Sequence, residues 1–225
     1  MLYCNNPLDP DCTGGTNWSD TDLTALTGAA PTASGSALTS YVRLDTGYDH
    51  IVYLDANSNV DLLYYANGSW HWGGLGGPAA SGSALTSFAD SGNVEHVFYL
   101  NANSHVHQLY YNGSWHDQDL TAITGAAPAA SGSDLTSFAD RYGQHLAFLG
   151  GNQHVFQMYY NGNWTSYDLT ALAGASLAAS GSHLASYYRS DINNENIDYL
   201  DSNGHVHRLV YNGSSWSDQD LTAIT

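Results

Sequence analysis

The sequence predicts an all-β fold, a β-propeller of four-stranded antiparallel blades with about four and a half repeat units in the chain. Near-copies of one stretch recur at intervals of about 50 residues, a period typical of propellers and solenoids. Each copy also divides into four short runs of aromatic and β-branched residues separated by Gly and Asn turns, a pattern typical of hairpins. The A-S-G-S motif marks the copies at Ser34, Ser81, Ser131 and Ser180.

The clearest copy begins at Asp119 with DLTAITGAAPAASGSDLTSF and runs to Trp164. The same text recurs from Asp22 and Asp168, and a reduced version starts at Gly73. We interpret residues 1–225 as one repeat array, because the copies follow one another without a change of composition. It divides into a half-blade hairpin with its crossover at 1–33 and repeat units at 34–77, 78–127, 128–176 and 177–225.

The third unit shows how the strands are predicted. Its runs are Asp134–Ala139, His145–Leu149, His154–Tyr160 and Trp164–Ala171. Asn-Gly pairs between the third and fourth runs supply the positive φ angles of a tight hairpin turn; they begin at Asn67, Asn112, Asn161 and Asn212. No segment has the periodicity and length of an amphipathic helix, so no helix is expected.

The N-terminal MLYC aligns with a third strand and Asn17-Trp18-Ser19 with the start of a fourth. A half-blade followed by four units would leave unpaired strand edges, which natural proteins avoid. The chain could close alone into a ring of about five blades, join another copy head to tail, or be part of a longer array. We favour a homo-oligomer, such as a dimer that completes the ring.

The charge is strongly one-sided, with 21 acidic residues, 4 arginines and no lysine, giving a net charge of −17. Such a charge repels nucleic-acid phosphates and anionic lipid surfaces, so neither is an expected partner. No apolar run reaches the roughly 20 residues that span a bilayer, so no membrane insertion is expected. No signal peptide is visible, which leaves the localisation unknown and secreted or cell-surface action open.

Two cysteines, Cys4 and Cys12, flank a Pro-containing loop near the N-terminus. A disulfide could close this short loop in an oxidising compartment, and free thiols are the alternative. In either case the expected role is local stabilisation.

Histidines occur in the predicted third strands, as the pairs His105–His107 and His205–His207. Alternate residues share one face of a strand, so each pair could begin a metal site if further ligands came from elsewhere. The first unit has Asn59 and Asp61 there instead, which favours structural hydrogen bonding. We therefore expect no metal and no cofactor. No catalytic motif occurs, and an enzyme is not expected.

The repeated motifs D-L-T-A-x-T-G-A-A-P and S-G-S-x-L-T-S-[YF], and the Asn-Gly turn followed by tryptophan, resemble repeats of bacterial fucose-binding propeller lectins of the Photorhabdus type. The resemblance covers the chain after Asn17. It implies a propeller, usually of seven blades, with shallow metal-independent sites between adjacent blades that bind L-fucose or O-methylated sugars without catalysis.

The candidate sugar-binding residues follow from repetition and chemistry. An indole offers a large stacking face and one N–H donor, although packing between blades is the alternative role. The tryptophans are Trp18, Trp70, Trp115, Trp164 and Trp216. Hydroxyl groups in the crossovers could recognise sugar hydroxyls; they belong to Ser36, Ser83, Ser133 and Ser182. Trp72 has no counterpart in the other units.

Two functional hypotheses follow. Evenly distributed features favour a multivalent lectin that binds glycans or glycoconjugates, because near-equivalent units predict near-equivalent sites that add through effective concentration. The alternative is a non-catalytic structural or protein-interaction propeller, in which the repeated residues only hold the blades together.

Overall fold

The computed structural model describes residues 2–4 and 18–223. Its first strands, β1 (Leu2–Cys4) and β2 (Trp18–Asp20), pair in antiparallel orientation as a two-stranded hairpin. The proposed disulfide lies outside the described residues, because Cys12 is not among them. Nothing in the structure describes the side chain of Trp18.

Four four-stranded antiparallel sheets follow, and consecutive strands are neighbours in each. This confirms the predicted blades. Blade I contains β3 (Leu38–Val42), β4 (Asp49–Leu54), β5 (Val60–Ala66) and β6 (Ser69–Gly76). Blade II contains β7 (Leu85–Ala89), β8 (Glu95–Leu100), β9 (Val106–Tyr111) and β10 (Trp115–Asp119). Blade III contains β11 (Leu135–Ala139), β12 (Gln144–Leu149), β13 (Val155–Tyr160) and β14 (Trp164–Asp168). Blade IV contains β15 (Ala185–Arg189), β16 (Asn194–Leu200), β17 (Val206–Tyr211) and β18 (Trp216–Asp220).

The first strands of successive blades are neighbours, and hydroxyl groups of the repeated L-T-S motif join them. The threonine of one blade hydrogen-bonds the serine of the next at 2.7–2.9 Å. The three pairs are Thr39–Ser87, Thr86–Ser137 and Thr136–Ser186. Blade IV has Ala185 in place of the threonine. The motif therefore links the first strands of successive blades. Because Ala185 has no hydroxyl, blade IV cannot offer the same side-chain bond to a further blade.

Apolar cores fill the junctions between adjacent blades. At the junction of blades II and III, fully buried Phe98 and Leu100 of β8 meet Leu146 and Phe148 of β12. Alternate residues of a strand lie on the same face, which explains why the buried residues are two apart. Burying one such side chain contributes about 1.5–3 kcal/mol. The described cores thus lie between the sheets, where they hold the blades in sequence.

Short helices correct the prediction of an all-strand chain. The D-L-T-A motif begins α1 (Leu23–Thr27), α2 (Leu120–Thr124) and α3 (Leu169–Ala173). The predicted fourth strand Trp164–Ala171 therefore ends at Asp168. The aspartate is the N-cap, whose side chain accepts a backbone N–H bond, and a left-handed glycine ends each helix. These are standard start and stop signals. Among the described residues, no helix is long and apolar enough to cross a membrane.

Candidate ligand pocket between blades III and IV

A pocket of about 630 Å³ lies between blades III and IV, within the roughly 300–1,000 Å³ typical of small-molecule sites. Six aromatic side chains line it: Tyr142, Tyr159, Tyr167, Tyr188, Tyr211 and Trp216. Tyr167 is 42% exposed, so part of this aromatic wall faces solvent. Strands of both blades supply the wall, and the pocket depends on how the two sheets pack.

A histidine between two carboxylates lies on the buried side of the pocket. Nε2 of His145 is 3.3 Å from Asp140 Oδ1, and its Nδ1 is 3.1 Å from Glu195 Oε2. Burial lowers the pKa of His145, but the two adjacent carboxylates outweigh burial and raise it above 6.5. Because Asp140 belongs to blade III and Glu195 to blade IV, the imidazole of His145 joins the two blades.

The loop between β11 and β12 fixes the position of Asp140. Its Oδ1 accepts the backbone N–H groups of Tyr142 and Gly143 at 2.7 and 2.9 Å. Burial raises the pKa of Asp140, but the adjacent His145 and the backbone N–H groups lower it overall. Oδ2 of the same carboxylate and Nε2 of His145 are both buried without a hydrogen bond in the described part of the protein, so the 3.3 Å contact between Nε2 and Oδ1 is an electrostatic one.

Two further polar side chains border the triad. Gln157 Nε2 donates to Glu195 Oε2 at 3.0 Å, which orients that carboxylate. Arg141 Nη2 donates to Asn193 Oδ1 and to the hydroxyl of Tyr142, both at 2.6 Å, and so crosses from blade III to blade IV at the surface. The pocket therefore combines an aromatic wall with a polar, partly charged interior.

The equivalent junction of blades II and III has a neutral amide where blade IV has a carboxylate. Gln144 is the counterpart of Glu195, and it accepts a 3.2 Å bond from Gln108. His96, the counterpart of His145, bonds Gln108 at 2.8 Å and Asp90 at 3.2 Å. Burial is the main influence on His96 and lowers its pKa. A shallower pocket of about 270 Å³ lies at this junction.

The junction of blades I and II is closed by an ion pair. Glu95 occupies the same strand position as Glu195, and it meets Arg43 Nη1 at 3.2 Å. The hydroxyl of Tyr41 donates to its other oxygen at 2.5 Å. Burial lowers the pKa of the adjacent His50. The three described junctions thus differ in the charge of their polar side chains, although the units that form them are near-copies.

The recurrent tryptophans have a packing role wherever their side chains are described. Four of them lie half-buried, each packed against one of the apolar cores. They are Trp70, Trp115, Trp164 and Trp216. Each also contacts a tyrosine of the preceding strand at 5.4–5.6 Å between ring centroids. Trp216 additionally lines the large pocket. The singular Trp72 is 45% exposed, and its Nε1 donates to Asp61 at 3.3 Å.

The crossover serines are part of the backbone framework. The hydroxyl of each serine donates to the carbonyl of the next residue and accepts the N–H of the last leucine in the blade's second strand, all at 2.8–2.9 Å. Three are buried, and Ser36 is half-buried. The four are Ser36, Ser83, Ser133 and Ser182. Each hydroxyl thus uses its donor and one of its two acceptor positions within the backbone framework, and its predicted role in sugar recognition stays a prediction.

Histidines in or directly before the third strands pair with carboxylates of the fourth. The first of them in each of blades II, III and IV lies 2.7–2.8 Å from the last aspartate of the fourth strand. The pairs are His105–Asp119, His154–Asp168 and His205–Asp220. His107 and His207 pair with Asp117 and Asp218 at 3.0 Å. These contacts provide the structural hydrogen bonding that the repeat pattern favours.

Two groups in the described residues bring three potential metal-binding side chains within 4.8 Å of one another. One is Asp140, His145 and Glu195, in which a different ring nitrogen faces each carboxylate. The other is Asp201, His205 and His207. Nε2 of His207 lies 3.6 Å from Asp201 Oδ2, and Nδ1 of His205 lies 2.8 Å from Asp220 Oδ2.

Sequence reasoning identified Trp216 and missed the other pocket residues. Asp140, His145 and Glu195 lie in or beside the loops between first and second strands, where the repeats differ most. Tyr159 and Tyr188 each stand next to another tyrosine in their strands, which places one ring on each face of the sheet. The pattern alone does not tell which of the two faces borders a pocket. Aligning the units would have found the signal, since Glu195 replaces Gln144.

No known protein-family profile matches the sequence. No curated protein sequence matches it either. Solved structures do resemble its fold. AofleA from Arthrobotrys oligospora superposes with a TM-score of 0.66 at 17% identity, covering 83% of this chain and 56% of that one. BP39L lectin from Burkholderia pseudomallei gives 0.67 at 16% identity, covering 91% and 59%.

The lectin of Aleuria aurantia, described as a six-bladed β-propeller with a novel fucose recognition mode, gives a TM-score of 0.66 at 15% identity. The alignment covers 91% of this chain and 67% of the lectin. The chain therefore spans little more than half to two thirds of the length of the structures that it resembles. Its fold is that of these β-propellers.

Proposed function

We propose that the protein is a non-enzymatic carbohydrate-binding lectin and that the pocket between blades III and IV is a sugar site. The observation that carries this proposal is one interblade pocket with six aromatic side chains around a polar interior. A sugar ring has apolar C–H faces and polar edges, and such a pocket complements both. The fold similarity to the Aleuria aurantia lectin supports the same function.

The proposed class of sugar follows from the combination of apolar and polar side chains that line the pocket. Tyr188, Tyr211 and Trp216 offer apolar surface that favours a methyl group, as in a 6-deoxy or O-methylated sugar. Glu195, held in place by Gln157, supplies an acceptor for hydroxyl groups. Fucose and O-methylated sugars are therefore the proposed ligands. Anionic sugars are disfavoured by the two carboxylates beside the pocket.

Because the three described junctions differ, one chain does not offer several equivalent sites. In this proposal, multivalency therefore arises when the chain assembles with another copy. Blade IV supports assembly because Leu200 and Val206 are 44% and 38% exposed, while their counterparts Leu149 and Val155 are buried in a junction core. A further blade docked there would cover them. Sedimentation equilibrium measures the particle mass: a dimer or larger ring is expected, and a strict monomer at high concentration contradicts assembly.

A glycan array tests sugar binding most broadly. Selective binding to fucosylated or O-methylated glycans, competed by free methyl α-L-fucoside, is expected. Tyr167→Ala removes an exposed wall residue of the pocket and should abolish most of the signal. Trp72→Ala removes an exposed aromatic residue in blade I and is the matched control, which should bind normally. A silent array with folded protein contradicts the lectin and favours the protein-interaction propeller.

A further inference from the structure

The pocket between blades III and IV carries two carboxylates and one histidine. The side chains of Asp140 and His145 are 1% and 2% exposed, and that of Glu195 is 11% exposed. Even when His145 carries a proton on both ring nitrogens, the two carboxylates leave one negative charge uncompensated among these three groups. A buried charge interacts more strongly with a ligand than an exposed one, because water screens it less.

The junction of blades I and II shows which charged group pairs with a carboxylate at the position of Glu195. Its carboxylate, Glu95, meets the guanidinium of Arg43 at 3.2 Å. Asp140 occupies the position of Arg43 in blade III, since each residue follows the first strand of its blade directly. The exchange removes a cation that belongs to the chain and adds a carboxylate. The junction of blades III and IV therefore has a pocket at the place where the junction of blades I and II contains the guanidinium of Arg43.

The wall of the pocket also favours a cation. Five tyrosines and Trp216 line it, and the faces of such rings attract ammonium and guanidinium groups electrostatically. Oδ2 of Asp140, buried without a hydrogen-bond partner, is an acceptor that a donor group could satisfy. Arg141 is the nearby positive charge outside the triad, but it is exposed and directed to Asn193 and Tyr142.

We propose that this pocket prefers a positively charged ligand, an amino sugar over its neutral counterpart, with Glu195 and the tyrosine wall providing the preference. The choice of an amino sugar as ligand rests on the proposed carbohydrate-binding function, whereas the preference for a positively charged ligand does not depend on it. The ammonium group takes the place that the Arg43 guanidinium has between blades I and II. Glu195 is the positioned carboxylate, and Asp140 adds a second acceptor.

Isothermal titration calorimetry at pH 6.5 tests the preference with matched probes. Galactosamine, glucosamine and mannosamine are compared with galactose, glucose and mannose, and methyl α-L-fucoside and tetramethylammonium are titrated separately. At least one amino sugar should bind about tenfold more tightly than its parent, a difference in the range of one cation–π contact plus a partly screened ion pair. The preference should weaken as salt is added.

Glu195→Gln is the decisive variant, because it installs the amide that the chain itself has at position 144. It should remove most of the tenfold preference, so that each amino sugar then binds about as tightly as its neutral parent, whatever change in affinity the two share. The control Glu95→Gln alters the equivalent carboxylate of the closed junction and should leave the preference intact. Circular dichroism verifies that both variants are folded.

The outcomes separate this inference from the proposed function. If methyl α-L-fucoside binds but each amino sugar binds no better than its parent, the preference for a cation is overturned and the lectin stands. If tetramethylammonium binds in a Glu195-dependent manner and no sugar binds, the cation preference stands and the lectin falls. An amino-sugar preference that survives in Glu195→Gln also overturns the inference.

Discussion

Nδ1 of His145 lies 3.1 Å from Oε2 of Glu195, so a buried imidazole bridges the junction between blades III and IV. The counterpart histidine of blade II, His96, faces a junction where the next blade supplies Gln144. The pKa of His145 is raised and that of His96 is lowered. One exchange of glutamate for glutamine between near-copies therefore accompanies opposite shifts of the histidine pKa.

Glu195→Gln should lower the pKa of His145 below its usual value, because burial then outweighs the one remaining carboxylate, as it does for His96. Titration by NMR of the imidazole nitrogens measures the change. The reciprocal variant Gln144→Glu should raise the pKa of His96. An unchanged pKa of His145 in Glu195→Gln would mean that Asp140 alone sustains its protonation.

The pairing of His145 with Glu195 also predicts that the stability of the fold depends on pH. A raised pKa of His145 in the folded state means that folding takes up a proton between about pH 6.5 and that pKa. The stabilisation is complete below about pH 6.5 and is lost as the pH rises through the raised pKa. Urea midpoints of wild type and Glu195→Gln should therefore converge at alkaline pH. A constant difference from pH 5 to about 9 would contradict this linkage.

The hydroxyl pair Thr136–Ser186, with its oxygens 2.7 Å apart, should contribute to packing of blades III and IV. Thr136→Val keeps the shape and removes one partner, which should cost about 1 kcal/mol. Ser186→Ala and the double variant complete a thermodynamic cycle by urea denaturation. Full additivity of the two single changes would show that the hydroxyls do not interact. Thr39→Val, between blades I and II, is the internal comparison.

The N-cap of α2 is a further test of local structure. Asp119 accepts the N–H of Ala122 at 2.8 Å and also pairs with His105 at 2.7 Å. Asp119→Ala should destabilise the fold by about 0.5–2 kcal/mol, whereas Asp119→Asn retains a capping oxygen and should cost less. Thermal unfolding followed by circular dichroism compares the two. Equal losses would assign the effect to the pairing with His105 alone.

Ser133→Ala tests the framework role of the crossover serines. It leaves the buried N–H of Leu149 without its acceptor, which should cost about 1–3 kcal/mol. Sugar affinity below the melting temperature should not change, since this hydroxyl serves the backbone. Calorimetric titration of methyl α-L-fucoside measures the affinity. A stable variant with greatly reduced affinity would instead make the serine a ligand contact.

The fold could be predicted because repetition at a fixed period leaves few architectures, and the blades are confirmed. The helices were missed since five residues are too few for helical periodicity, although the Asp119 cap and Gly125 were visible signals. The pocket was predicted only through Trp216. Asp140 and Glu195 act across a junction, and the volume between two sheets depends on packing that a single repeat does not encode.

A crystal structure of the protein soaked with methyl α-L-fucoside is the most direct test of the sugar site. The account predicts the glycoside between blades III and IV, with its methyl group against Tyr188, Tyr211 or Trp216 and a hydroxyl bonded to Glu195. A pocket that stays free of sugar at saturating glycoside, or a glycoside bound only elsewhere, would contradict it.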